Sequence, residues 1–150
     1  MKDFVLNIEL VFAVISGKVS SAINRKLYRD FRNEGLDITP EQWSILVFLW
    51  QQDGVTQKAI ADATYKDRPS VTRLIDNMEK QGLATRIQDS KDRRTNKICL
   101  TKKGFDLCNK VHPITLKTMQ DALSGLSPEE ISNAQYLLKK IFSNLQTPEM

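Results

Sequence analysis

Apolar residues at Phe4, Ile8, Val11, Phe12, Ile15, Val19, Ala22, Ile23, Leu27 and Phe31 recur every three or four positions, the spacing of one face of an α-helix. Lys18, Arg25, Arg29 and Arg32 fall on the opposite face, and Gly35 supplies a stop. A helix of about 30 residues spans about 45 Å. A lone domain of this size can hardly cover so long a stripe, whereas a second subunit would.

Thr39-Pro40-Glu41-Gln42 reads as an N-cap, a first-turn proline and a residue able to close a capping box. The nearly all-apolar run from Trp43 to Trp50 predicts a buried helix, broken at Asp53-Gly54. Thr56 caps a short helix through Ile60 and Ala61 to Ala63. The next helix is predicted over residues 69–81, with Asp67 as its N-cap and Pro69 tolerated in the first turn. Val71, Leu74, Ile75 and Met78 form its apolar stripe and leave Ser70, Thr72, Arg73, Asp76, Asn77 and Lys80 off it. Gly82 and Leu83 stand where a Schellman stop places a glycine and an apolar residue.

Two strands are expected around residues 84–88 and 97–101, with a charged loop between them. Beyond Thr101, Phe105, Leu107, Cys108, Val111, Leu116, Met119 and Leu123 predict another long helix, kinked at Pro113. Ser127-Pro128-Glu129-Glu130 is a second capping box. It opens a final helix on Ile131, Ala134, Leu138, Ile141 and Leu145, and residues 147–150 should fray. The fold class is therefore mainly α with a small β component (α+β). A winged helix-turn-helix with a two-stranded wing occupies residues 39–103 of a single 1–150 domain, and long helices flank it at both termini.

Charge sharpens this picture. Between Lys66 and Lys103 stand eleven Lys and Arg against five Asp and Glu, yet the whole chain carries only +4. The surplus is concentrated on the helix-turn-helix and its hairpin. A local basic patch of this kind attracts a polyanion to one face. A recognition helix in the major groove and a hairpin along the backbone form a device for gripping duplex DNA.

The residues that carry this reading resemble the MarR family of bacterial transcriptional regulators. The wing shows Asp92-Arg93-Arg94, five residues, then Leu100-Thr101, followed by Gly104. The stretch from Arg68 through Arg73 and Gly82 to Leu83 is similar to the family's recognition helix. The resemblance covers nearly the whole chain. It implies a homodimer built on helices within residues 1–35 and 104–146, with two DNA-binding lobes. It also implies a small aromatic or amphipathic anionic effector, held between the dimer helices and the DNA lobe. Trp43 is the candidate for that crevice, although a place in the core is the preferred reading.

Arg68, Ser70, Thr72, Arg73 and Asn77 are the candidate DNA-contacting residues of the recognition helix. Short hydroxyls suit phosphates or base edges, and arginine bridges O6 and N7 of guanine. Asp76 and Glu79 would repel phosphates, which confines base reading to the helix's N-terminal part. In the wing, Arg93, Arg94 and Lys97 are the candidate contacts. The resemblance places Arg94 in the minor groove, whose electronegativity suits a guanidinium. Asp92 is expected to stabilise the wing by pairing with an arginine.

Other chemistry is disfavoured. Cys99 and Cys108 are too few for a disulfide framework and read as small buried hydrophobes. A single histidine, His112, makes no metal site. No nucleophile–base pair, phosphate loop or carboxylate pair stands out, so neither catalysis nor a cofactor is expected. No run of 18 apolar residues and no secretory signal is present, which points to the cytoplasm. Two competing readings stay open: a thiol-based redox-sensing regulator, and a dimeric module whose winged helix binds protein.

Overall fold

The computed structural model describes residues 8–146, with side-chain surroundings from Phe12 onward. The positions Phe4 and 147–150, and the side chains of Ile8 and Val11, lie outside what it describes. Within the described residues six helices and three short strands follow in the order α1 (Ile8–Asn33), α2 (Pro40–Gln51), β1 (Val55–Thr56), α3 (Gln57–Thr64), α4 (Arg68–Lys80), β2 (Ala84–Gln88), β3 (Asn96–Leu100), α5 (Lys102–Ala122) and α6 (Pro128–Leu145). The chain divides into two compact units, one running through Thr118 and the other starting at Met119.

Local signals end and start the helices as their residue types dictate. The Thr39 hydroxyl accepts the Gln42 N–H at 3.2 Å, and the Gln42 side chain accepts the Thr39 N–H at 3.1 Å. Asp67 caps α4 through the Ser70 N–H at 2.8 Å. The helix begins one residue earlier than its pattern predicts, so Arg68 occupies the first helical position. At its other end the Leu83 N–H reaches Met78 O at 2.8 Å and the Gly82 N–H reaches Glu79 O at 3.0 Å, the two bonds of a Schellman motif. Gly82 sits at φ +72, where an L side chain is strained.

The first unit is organised around one apolar core. Ile45, Leu46 and Leu49 of α2, Ile60 of α3, and Val71, Ile75 and Met78 of α4 are fully buried together with Phe31 of α1, Ile98 of β3 and Val111 of α5. Each such side chain contributes about 1.5–3 kcal/mol. The core therefore fixes α4 by one face and leaves the opposite face outside.

The sheet has three antiparallel strands in the order β1-β3-β2, one more than the expected hairpin. Val55 pairs with Ile98 and Thr56 with Lys97. Two residues are too few to show an alternating pattern, which hides β1 from sequence inspection. The Asp53 carboxylate accepts the Leu100 N–H at 2.8 Å and continues this edge by a side chain.

A polar tie joins α1 to α5. The Thr118 hydroxyl donates to Asp30 Oδ2 at 2.6 Å, and Lys26 Nζ approaches the same oxygen at 2.8 Å. The hydrogen bond from Lys26, followed by that from Thr118, holds the Asp30 carboxyl below its ordinary value of 3.8. A depressed carboxylate contributes stability that is complete above the unfolded pKa and lost as pH falls through the folded one. Asp30→Asn should therefore cost about 1 kcal/mol near neutral pH, a difference that shrinks below pH 3.8. Urea unfolding of both proteins at several pH values measures this. A cost that does not change with pH would refute the assignment.

Candidate DNA interface

The exposed face of α4 carries the candidate residues. Ser70, Arg73 and Asn77 line one open concavity of ≈ 570 Å³ with Tyr65, Lys66 and Leu74, and the carboxylates of Glu41 and Asp67 stand at it too. Ser70 is not free to act as an independent contact, because its hydroxyl donates to Asp67 Oδ2 at 2.9 Å. The Ser70 backbone N–H, then its hydroxyl, hold the Asp67 carboxyl below the usual carboxylate range. Arg73 Nη2 lies 3.4 Å from the Ser70 oxygen, a long and weak contact that leaves the guanidinium available. Arg68 is exposed at the first position of the helix.

Thr72 faces a different neighbour. Its hydroxyl oxygen accepts from Gln57 Nε2 at 3.0 Å, which keeps the hydroxyl's own proton for an outside acceptor. Gln57 Oε1 in turn accepts from Arg86 Nε at 3.3 Å. Arg86, on β2, also reaches Asp76 Oδ1 at 2.7 Å and Glu79 Oε1 at 3.1 Å. The two carboxylates expected to repel phosphates are thus engaged by a cation from the wing strand. Neither Gln57 nor Arg86 was legible as part of the site, since 29 positions separate them.

Tyr65 is a further residue that periodicity does not reveal. It ends α3 at φ 53 in the left-handed region and is 71% exposed. A residue other than glycine there costs about 1–2 kcal/mol. The strained position directs the chain into α4.

The wing loop is shaped by two aspartates. The Asp89 carboxylate accepts the Lys91 N–H at 2.9 Å. Asp92 Oδ1 accepts the Arg94 N–H at 3.0 Å, and Asp92 Oδ2 accepts the Thr95 hydroxyl at 3.1 Å. Asp92 therefore braces the turn through a backbone N–H and a hydroxyl, not through the arginine ion pair expected of it. Such short-range bonds are what Asp offers at the start of a turn. Arg93 and Arg94 are exposed at the tip. Lys97 lies 3.8 Å from Asp89, a partly exposed pair of little energetic weight.

Trp43 is a core residue, 6% exposed, and offers no face to an effector. The cysteines part company. Cys108 is buried as expected, and burial pushes its thiol up to about 11. Cys99 is only half-buried, which corrects its reading as a buried hydrophobe. Desolvation, then the Asp53 charge, raises its pKa. A raised pKa depletes the thiolate at both positions. Among the described residues no group of three or more His, Cys, Asp or Glu is placed to hold a metal ion, and no helix is long and apolar enough to cross a membrane.

A helix presented by its polar face beside a basic two-stranded wing defines a winged-helix, DNA-binding transcriptional regulator. Comparison with known proteins agrees. The MarR family model matches residues 38–95. Over 135 residues the chain is 30% identical to the uncharacterized HTH-type transcriptional regulator YkoM of Bacillus subtilis (strain 168), across 90% of this chain and 84% of that protein. It is 32% identical to S. aureus MepR, solved in complex with DNA, with a TM-score of 0.77 over 93% of this chain and 99% of that one. The organohalide-sensing regulator RdhR in its 2,4-dichlorophenol-bound form shares the fold, with a TM-score of 0.87 at 22% identity over 97% of this chain and 85% of that one. The protein belongs to the MarR family.

Proposed function

We propose that the protein is a homodimeric, cytoplasmic and non-enzymatic repressor that binds a pseudo-palindromic operator and is released by a small aromatic or amphipathic anion. The observation that carries this reading is the outward face of α4. Arg68, Thr72, Arg73 and Asn77 are exposed there, and Arg93 and Arg94 are exposed on the wing. Residues 39–103 form the DNA-binding lobe in this reading, with Lys97 and Ser70 in supporting contacts and Asp92 shaping the wing.

Dimerisation through helices in residues 1–35 and 104–146 has separate support. Phe12, Ile15 and Val19 of α1 are exposed, and so are Tyr136, Leu137, Leu138 and Phe142 of α6. No residue of α6 is buried. Isolated helices of this length are marginal in water and draw their stability from a packed face. A second copy of the chain supplies one, and obligate interfaces of this kind bury more than about 2,000 Å². The effector reading is supported by the phenol-bound relative.

Arg94→Ala tests the wing. It should weaken binding without unfolding the protein, and the slope of log K against log salt should become shallower by about 0.9 for each phosphate no longer neutralised. The weakening should be largest where A·T-rich steps narrow the minor groove. Asp92→Ala should show a smaller effect of the same kind. Fluorescence anisotropy at several salt concentrations, with sedimentation to count chains per duplex, is the measurement. Parental affinity and an unchanged slope in Arg94→Ala would remove the wing from the interface. A folded monomer at micromolar concentration would overturn the dimer, and the absence of any selected duplex would favour a protein-binding module.

A further inference from the structure

Among the described residues, Arg86 is the most heavily engaged cation around the recognition helix, and it belongs to a strand. Its Nη2 meets Asp76 Oδ1 at 2.7 Å and its Nη1 meets Glu79 Oε1 at 3.1 Å. Its Nε donates to Gln57 Oε1 at 3.3 Å, and its backbone N–H donates to Glu79 Oε2 at 3.1 Å. Only 21% of the side chain is exposed, while Asp76 and Glu79 stay 47% and 42% exposed. The guanidinium thus stands under two carboxylates that face outward on the same helix as Arg73. Through Gln57 it also reaches the Thr72 hydroxyl.

We propose that Arg86 is the positioning residue of the DNA interface: it screens the two carboxylates of α4 from the incoming phosphates and fixes the angle between recognition helix and wing, without touching DNA itself. The inference rests on the DNA-binding reading above. Two acidic groups within two turns of a recognition helix otherwise repel a polyanion. A planar fork with three nitrogens can bind both carboxylates and an amide at once, whereas an ammonium is a point charge without that geometry. The arrangement separates two kinds of cation. Arg73 and Arg94 are turned outward for the ligand, and Arg86 is turned inward to neutralise the surface that carries them.

The test uses the full chain and a labelled duplex of about 30 base pairs, enriched from a random pool by the parental protein and long enough for two half-sites a helical turn apart. If the parent enriches no duplex, the DNA-binding reading itself fails. If it does, Arg86→Met should weaken binding about tenfold or more, since it leaves like charges facing phosphate. Adding Asp76→Asn and Glu79→Gln to Arg86→Met should recover affinity to within a few-fold of the parent. Neutralising two carboxylates raises affinity in any background, so Asp76→Asn with Glu79→Gln in the parent is the reference. Under the proposal the pair gains little there and much in Arg86→Met, whereas an arginine on phosphate would give equal gains in both. Equal gains, or a triple variant that binds as weakly as Arg86→Met, therefore overturn the proposal. Arg86→Lys keeps the charge and covers the case in which Arg86→Met does not fold. Under the proposal it binds more tightly than Arg86→Met and more weakly than the parent. Full parental affinity in Arg86→Lys would overturn the role of the fork.

Discussion

Gly104→Ala is expected to lose at least about 3 kcal/mol of folding stability, more than the usual cost of overpacking, because backbone must move. An added Cβ would overlap Leu83 O and stand 3.0 Å from Leu83 C. Neither atom is the end of a flexible side chain. The close approach has a cause in the neighbouring residues. The Thr101 hydroxyl donates to Gly82 O at 2.5 Å and accepts the Gly104 N–H at 3.0 Å. The Thr101 N–H donates to Leu83 O at 3.1 Å. The first turn of α5 is thereby pressed onto the turn that ends α4. A side chain at residue 104 would push these two elements apart and carry the recognition helix with them. Small domains have about 5–15 kcal/mol in total, so the variant should unfold at clearly lower urea concentration with an unchanged slope. A stability within about 1 kcal/mol of the parent would show that the approach is not as tight as described.

Arg73→Ala should have the largest effect on sequence selection. Removing a bidentate arginine from guanine costs about 1–3 kcal/mol. Under the proposed homodimer, two half-sites would forgo two such pairings, so about 2–6 kcal/mol is expected on the selected duplex. Binding to an unselected duplex should fall far less, because base edges contribute little to non-specific binding. Among the described residues the guanidinium makes a long 3.4 Å contact with Ser70 and feels the nearby Asp67 charge, both exposed interactions that are readily exchanged for DNA. Asp67→Ala is the control. It removes the cap of α4 at a cost of about 1 kcal/mol in stability while keeping the Arg73 side chain, so it shows how much of any loss comes from the helix start alone. An equal drop in affinity on selected and unselected duplexes would assign Arg73 to the phosphates instead of the bases.

The elements that local chemistry specifies were legible in the residues themselves. Thr39 with Gln42, Ser127 with Glu130, Asp67 and Gly82 each act over three or four positions, so their caps follow from residue type and spacing. The stripe of Val71, Ile75 and Met78 is a helical period, and it is the face that the core buries. The excess apolar surface of α1 is equally a property of the pattern. Contacts between distant positions are not. Arg86 finds Asp76, Glu79 and Gln57 only because packing of α4 against β2 and α3 brings three elements together. In the charge pattern along the chain Arg86 is one more cation for DNA, whereas the folded protein directs it inward. The same holds for β1, whose two residues become a strand through β3. It holds for Gly104, which is required by an oxygen twenty-one residues earlier. Sequence period reports which face of an element is apolar, and only the packed core decides which polar side chains from separate elements meet on the other face.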